Sequence, residues 1–161
     1  MLTWLILLLA SACAPRNVEP TPVPVTQVSP SDADLARFVD RLRAYHPSED
    51  CAALTADLAD PTDTLTRAVA EVSVPPWVGL TAGTCTMRMY PEAQEALIKS
   101  WFTEDQFRGL GRALARELPS IPDESAAVRI STIALTSPHA DVAREAIATD
   151  PRPALRALLQ P

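Results

Sequence analysis

Prolines recur at a nearly constant interval through most of the chain. Pro61, Pro91, Pro122 and Pro151 are separated by 30, 31 and 29 residues. Intervals of this length are typical of proteins built from repeated supersecondary units, and a further helix break falls within each interval. The spacing therefore predicts a series of helical hairpins, each formed by two helices.

Apolar residues from position 31 onward recur at helical spacing and nowhere alternate over the length of a strand. This periodicity predicts an all-α domain over residues 31–161. The expected helices span 31–46, 48–59, 61–73, 76–89, 91–101, 104–118, 122–135, 138–148 and 151–160.

Two kinds of signal mark the predicted helix starts. An acidic N-cap followed by proline binds an unpaired backbone N–H and presets φ for the first helical residue. This pair occurs as Asp60-Pro61 and as Asp150-Pro151. A capping box joins a hydroxyl residue to an acidic or amide residue three positions later. The sequence predicts two such boxes, Ser31 with Asp34 and Thr103 with Gln106.

The first twelve residues contain no charged side chain. As a helix they would reach about 18 Å, which is shorter than the ~30 Å hydrocarbon core of a bilayer. We therefore interpret residues 1–12 as a secretory signal peptide. The end of this segment and the next residue, Ala10-Ser11-Ala12-Cys13, resemble the lipobox of bacterial lipoproteins, in which the cysteine thiol receives diacylglycerol. The same small residues also form an A-x-A site for ordinary signal peptidase, so Cys13 is either lipidated or unmodified.

Residues 13–30 contain five of the sixteen prolines. Such a segment favours extended polyproline structure, and seventeen residues at ~3.1 Å each reach about 50 Å. We expect it to be a tether between a lipid on Cys13 and the helical domain. Ala14, rather than Asp, follows the cysteine. This residue predicts the outer membrane of the cell envelope as the location.

The composition argues against several classes of function. Fourteen basic residues face twenty acidic ones, for a net charge of −6, so no basic footprint for nucleic acid is present. Only His46 and His139 are bases near neutral pH, and they lack a motif that supplies a nucleophile. His46 is expected to end a helix and His139 to face solvent. We therefore expect no catalytic residue, no cofactor and no metal site.

Cys51 and Cys85 are the only thiols besides Cys13. In an oxidising compartment they can form one intramolecular disulfide. Their positions within helices 48–59 and 76–89 differ by about 9 Å along the axis. Gly79 and Gly83 could reduce this difference by delaying the second helix. The alternative is two separate thiols buried as small apolar residues.

Arg108, Arg112 and Arg116 recur at every fourth position and form one stripe on a helix. Adjacent like charges repel each other, so we expect an acidic neighbouring helix or an anionic ligand beside them. They are the candidate binding face. Trp77 and Trp101 lie at helical spacing from apolar neighbours, and we expect both in the core; the alternative is an aromatic binding platform.

The last helix start, Asp150-Pro-Arg-Pro-Ala-Leu-Arg-Ala-Leu-Leu159, resembles bacterial HEAT repeats, whose pattern is D-P-x-P-x-[VL]-R-x-x-[AL]. Asp60-Pro-Thr-Asp-Thr-Leu-Thr-Arg67 and Ala127-Val-Arg129 are similar to parts of it. The resemblance covers residues 60–161. It implies a HEAT-like α-solenoid, a short right-handed stack of helical hairpins that presents a binding or scaffolding surface.

These observations predict an exported, lipid-anchored envelope protein that binds or scaffolds a protein partner. The lipid on Cys13 would provide the contact with the membrane. Two alternatives remain open. One is a helical enzyme, or a lyase-type accessory protein with HEAT-like repeats, and the other is a structural helical bundle of the envelope.

Overall fold

The computed structural model describes residues 29–44, 50–71 and 73–160. These residues form α-helices and two 3-10 turns, Asp105–Phe107 and Leu118–Ser120, without a β-strand. The all-α prediction is confirmed for this part of the chain. The signal peptide, Cys13, nearly all of the tether and His46 lie outside it. The helices are α1 (Pro30–Ala44), α2 (Cys51–Thr55), α3 (Pro61–Ala70), α4 (Pro76–Met89), α5 (Glu95–Thr103), α6 (Arg108–Arg116), α7 (Glu124–Leu135), α8 (Ala140–Ala148) and α9 (Pro153–Ala157).

Several pairs of consecutive helices contact each other, and alternate helices also do. The principal contacts between consecutive helices join α3 to α4, α5 to α6, and α7 to α8. Among the odd-numbered helices, α1 contacts α3, α5 contacts α7, and α7 contacts α9. Among the even-numbered helices, α2, α4, α6 and α8 contact one another in that order. Helices α3 and α5 pack less closely than the other neighbours of their set.

The buried apolar side chains form two clusters. The first lies among α1 to α4 and includes Phe38, Leu65 and Cys85. The second extends from Met87 to Leu155, with Trp101 as its largest member. Each fully buried large side chain stabilises the fold by roughly 1.5–3 kcal/mol. Val69 packs against both clusters and so marks their junction.

The cap predicted at the start of α3 is confirmed. Pro61 is its first residue, and the carboxylate of Asp60 accepts a hydrogen bond of 2.9 Å from the backbone N–H of Asp63. This bond satisfies one of the N–H groups that a helix start leaves unpaired.

The capping box predicted at Ser31 and Asp34 is wrong. The helix begins one residue earlier, and the hydroxyl of Ser29 accepts the cap hydrogen bond from the N–H of Asp32 at 3.1 Å. Asp34 is buried and accepts a hydrogen bond of 2.8 Å from the N–H of Ala59. The carboxylate of Asp34 therefore makes a tertiary contact between α1 and the chain before α3, and it does not cap the helix as the capping box required.

The box predicted at Thr103 and Gln106 is also wrong. Helix α5 continues through Thr103, whose hydroxyl donates to the carbonyl of Lys99 at 2.9 Å. This internal bond removes the side chain from capping. Gln106 donates instead to the carboxylate of Glu104 at 2.7 Å, within the segment that leads into a 3-10 turn.

The last helix begins at Pro153 rather than at Pro151. The carboxylate of Asp150 is buried and accepts hydrogen bonds from the backbone N–H of Arg152 at 2.9 Å and from its guanidinium at 2.6 Å. These bonds lower the pKa of Asp150. The same guanidinium donates to the carbonyl of Ile121 at 2.6 Å. The Asp150–Arg152 pair thus anchors the approach to α9 on the segment before α7, and the helix begins two residues later than predicted.

Candidate functional site

An apolar groove of about 880 Å³ lies at the junction of the two clusters. Its walls come from the end of α3, the segment before α4, the first turn of α4 and the start of α6. Only Glu71 and Gln106 among its lining residues are polar. The apolar lining comprises Ala68, Val69, Ala70, Val74, Pro75, Pro76, Trp77, Gly79, Leu80, Phe107, Gly109, Leu110 and Ala113.

Trp77 is the exposed aromatic residue of this groove, with 44% of its surface accessible. It is the one large apolar side chain that is exposed in the described ranges. The prediction that Trp77 lies in the core is therefore wrong. Its neighbour Val78 is fully buried, and consecutive residues of a helix point in different directions. Trp101, by contrast, is fully buried as predicted.

Two glycines shape the groove. A Cβ at Gly79 would lie 3.4 Å from the carbonyl oxygen of Ala68 and 3.8 Å from the Cα of Val69, so α4 approaches the backbone of α3 closely here. A Cβ at Gly109 would have no atom within 4 Å. At Gly79, therefore, the backbones of α3 and α4 are in close contact. At Gly109, by contrast, the space that a side chain would occupy is open.

The apolar residues at the sides of the groove are half-buried and do not belong to the fully buried core. Leu80, Phe107 and Leu110 pack against the second cluster and line the groove with their remaining surface. Phe107 and Leu110 recur at helical spacing with the buried Leu114, yet both keep part of their surface exposed. A concave apolar surface with few polar groups is typical of ligand sites, and this one is open to solvent at Trp77.

A second, smaller cleft of about 370 Å³ continues from the groove to the first helix. Both cavities share Glu71, Val74 and Pro75. Asp32 and Leu35, in the first turns of α1, line the far side of this cleft. The two cavities are therefore adjacent, and together they extend from the start of α1 to Trp77.

The arginine stripe lies on the exposed face of α6. Arg112 forms an ion pair of 3.5 Å with Asp141 of α8, and both side chains are more than half exposed. Such a pair contributes little to stability. Arg108 and Arg116 are exposed and form no ion pair with the part of the chain that the structure describes. The expected acidic partner on a neighbouring helix is therefore present for Arg112 alone. That the three arginines form a binding face stays a prediction.

His139 is buried, so the prediction that it faces solvent is wrong. It precedes α8 and packs against Gly111, where an added Cβ would lie 2.9 Å from two atoms of the imidazole ring. Burial lowers the pKa of His139, and the positive charges of Arg108 and Arg112 lower it further. The negative charge of Asp141 raises it by a smaller amount. The folded state therefore favours the neutral ring.

We expect this histidine to make the fold acid-sensitive. The contribution of the neutral ring is complete above pH ~6.5, the ordinary pKa of histidine, and is lost as the pH falls towards the lowered folded value. The free energy of unfolding from urea titrations should therefore fall between pH 7.5 and pH 5.5. His139→Gln should reduce this fall, and His46→Gln is the matched control. If the free energy of unfolding of the His139→Gln variant fell with pH as much as that of the parent, His139 would not be the source of the acid sensitivity.

Cys51 and Cys85 lie at disulfide-bonding distance, with their Sγ atoms 2.15 Å apart and their Cα atoms 5.3 Å apart. This geometry fits the predicted disulfide. The proposed delay of the second helix is wrong, because α4 begins at Pro76 and includes Gly79 and Gly83. Cys51 is the first residue of α2 and Cys85 is the tenth residue of α4, so the two cysteines meet because the starts of these helices are not level.

Comparison with known proteins found no matching family model, no matching curated protein and no matching solved structure. Among the described residues, no helix is both long enough and apolar enough to span a bilayer. Within the same ranges, His, Cys, Asp and Glu side chains form no group that could hold a metal ion. The described chain is an all-α protein whose most distinctive surface is the groove at Trp77.

Proposed function

We propose that this protein is an exported, lipid-anchored component of the bacterial envelope that binds a protein partner. Its HEAT-like helical domain takes an extended, proline-containing segment of the partner into the groove at Trp77. The apolar signal segment and the small residues before Cys13 support export and lipidation.

The HEAT-like, right-handed solenoid belongs to this proposal. It is supported by the proline spacing of about thirty residues. It is also supported by the alternating contacts, in which odd-numbered helices pack on odd-numbered ones and even-numbered helices on even-numbered ones. Stacked hairpins of this kind present extended binding surfaces.

The observation that carries the proposal is the exposed indole of Trp77 beside Pro75, Pro76 and Phe107 in an otherwise apolar groove. Grooves lined by aromatic residues recognise proline-rich segments, because polyproline helices are already ordered and lose little entropy on binding. The indole N–H supplies a donor for a carbonyl of such a segment. Glu71 and Gln106 provide polar groups at the groove without filling it.

Lipid anchoring is tested by Cys13→Ser. We expect this variant to move from the membrane fraction to the soluble periplasmic fraction, because each buried CH₂ of an acyl chain contributes ~0.8 kcal/mol to membrane binding. The measurement is fractionation of the producing cells, followed by mass spectrometry of the N-terminal peptide. Pro15→Ser is the matched control, because it introduces the same residue two positions away and leaves the Cys13 thiol in place. Unchanged membrane partitioning of the Cys13→Ser variant would refute lipid anchoring.

Groove binding is tested with a synthetic, uncharged peptide of alternating Pro and Val. The mature lipidated chain is purified in detergent micelles with Pro20→Ser, Pro22→Ser and Pro24→Ser, so that its own prolines do not compete with the peptide. Cleavage before Cys13 removes Trp4, so Trp77 and Trp101 are its only tryptophans. Trp101 is fully buried, so a saturable change in acrylamide quenching reports on Trp77. We expect the Pro-Val peptide to protect Trp77 and a Gly-Ser peptide of equal length to leave it accessible.

Two variants locate the binding surface. Gly109→Met should weaken peptide binding at least tenfold (about 1.4 kcal/mol), because its side chain extends into open space beside the groove. The double change Arg108→Ala and Arg116→Ala should leave the affinity within twofold. Loss of binding in the arginine variant alone would assign the site to the arginine stripe, and no protection by either peptide would refute the groove.

A further inference from the structure

We infer that the chain's own tether, residues 20–26, occupies the groove in cis and competes there with the partner's segment. This inference rests on the proposed function, because it requires that the groove accept extended proline-containing chains.

The chemistry of residues 20–26 matches the groove. Their sequence, Pro-Thr-Pro-Val-Pro-Val-Thr, holds three prolines and two valines and no charged side chain. Seven residues of polyproline helix extend about 22 Å. Such a helix offers unpaired backbone carbonyls to the indole of Trp77 and packs its apolar rings on Pro75, Pro76 and Phe107. The charged part of the tether, Arg16 and Glu19, falls outside this stretch.

The point where the tether joins the domain also favours this occupant. Twenty-eight residues precede Ser29, the first residue that the structure describes. Asp32, three residues later, lines the cleft that continues into the groove through Glu71, Val74 and Pro75. Residues 20–28 reach about 28 Å when extended, which is twice the radius of gyration of about 14 Å that a domain of some 130 residues has. The docking stretch can therefore reach the groove past the adjacent cleft.

Tethering makes even a weak contact effective. A short linker gives its ligand an effective concentration in the millimolar range. With an intrinsic Kd of about 0.1 mM, a tethered segment would occupy the groove in roughly nine of ten molecules. A free peptide would then bind about tenfold more weakly than it binds an empty groove.

Occupation in cis would also regulate the distance from the membrane. With residues 20–26 in the groove, only residues 14–19 remain between Cys13 and the domain, a span of about 19 Å. A partner that displaces the tether would release the domain to the full reach of about 50 Å. The groove would thus couple partner binding to extension away from the bilayer.

The experiment compares two mature, lipidated chains in detergent micelles, from which cleavage before Cys13 has removed Trp4. One carries the natural tether, and the other carries Pro20→Ser, Pro22→Ser and Pro24→Ser, which keeps its length and removes its polyproline structure. We expect acrylamide to quench Trp77 several-fold more strongly in the serine variant. A synthetic peptide of residues 14–28 should bind that variant about tenfold more tightly than the natural chain. Pro15→Ser is the matched control, since it lies outside the docking stretch.

The outcomes separate this inference from the proposed function. Strong quenching in the serine variant, reversed by the free peptide, supports both. Equal quenching and equal peptide affinity in the two chains would overturn cis occupation while the groove remains a peptide site. An absence of peptide binding to either chain would overturn both. Circular dichroism and the emission of Trp101 verify that the variants are folded.

Discussion

Replacing Cys51 and Cys85 together by alanine is expected to lower the free energy of unfolding by about 4 kcal/mol. The bridge closes a loop with a sequence separation of 34 residues, and loop closure in the unfolded chain has an entropic cost of this size. Alanine is the appropriate replacement, because both positions are buried and a serine would bury a hydroxyl. Typical domains are stable by only 5–15 kcal/mol, so the loss should be evident in urea titrations.

Reductant provides the control for this prediction. It should lower the stability of the parent chain by a similar amount and leave that of the double-alanine variant unchanged. Alkylation of the unfolded, unreduced chain, with the labelled cysteines located by mass spectrometry, tests the bond directly. Labels on both Cys51 and Cys85 before reduction would establish two separate thiols. Protection that only reductant removes would establish the disulfide.

Apolar periodicity was sufficient to predict the helical class and several helix starts. The predicted limits 76–89 coincide with those of α4. Two prolines set its start, and the helix continues through Gly79 and Gly83 despite their low helix propensity. The cap at Asp60 was also predictable, since an Asp-Pro pair acts only on the backbone next to it. These successes involve interactions within a few residues of one another.

The errors arise where a tertiary contact competes with a local one. Asp34 fits a capping pattern, yet it is buried and accepts a hydrogen bond from the N–H of Ala59, twenty-five positions away. Asp150 binds Arg152 locally, and the guanidinium of Arg152 also donates to the distant carbonyl of Ile121.

His139 follows a proline at a helix start and was expected to face solvent. It is buried because Gly111, twenty-eight positions earlier in the chain, leaves room for its ring. Helical spacing cannot identify such a partner.

The groove was missed for a related reason. Periodicity shows which residues share a face of one helix, but it does not show whether a neighbouring helix covers that face. Phe107 and Leu110 fit a buried stripe, and the structure leaves part of each open beside Trp77. The sequence did contain a signal, namely a tryptophan directly after Pro75-Pro76 together with a glycine at position 109. Without knowledge of how α4 and α6 approach, these residues could not be joined into one surface.

The close approach of α5 and α6 leads to a second large effect, at Gly111. A Cβ there would lie 2.4 Å from the backbone carbonyl oxygen of Trp101 and 2.9 Å from the ring of His139. Neither neighbour is the end of a flexible chain, so the two helices must separate. Overpacking of this kind costs about 3 kcal/mol, of which better helix propensity returns up to ~1 kcal/mol. We therefore expect Gly111→Ala to lower the free energy of unfolding by about 2 kcal/mol.

Gly109→Ala is the matched control, because the same change is made two residues away in the same helix. Its Cβ meets no atom within 4 Å, so only the gain in helix propensity of about 0.5–1 kcal/mol remains. The two variants should thus differ by about 3 kcal/mol in urea titrations at pH 7.5, with opposite signs relative to the parent. Equal stabilisation by both alanines would show that α6 does not pack on Trp101 and His139 through Gly111. A loss of stability in Gly111→Ala but not in Gly109→Ala would show that His139 can be buried only because residue 111 has no side chain.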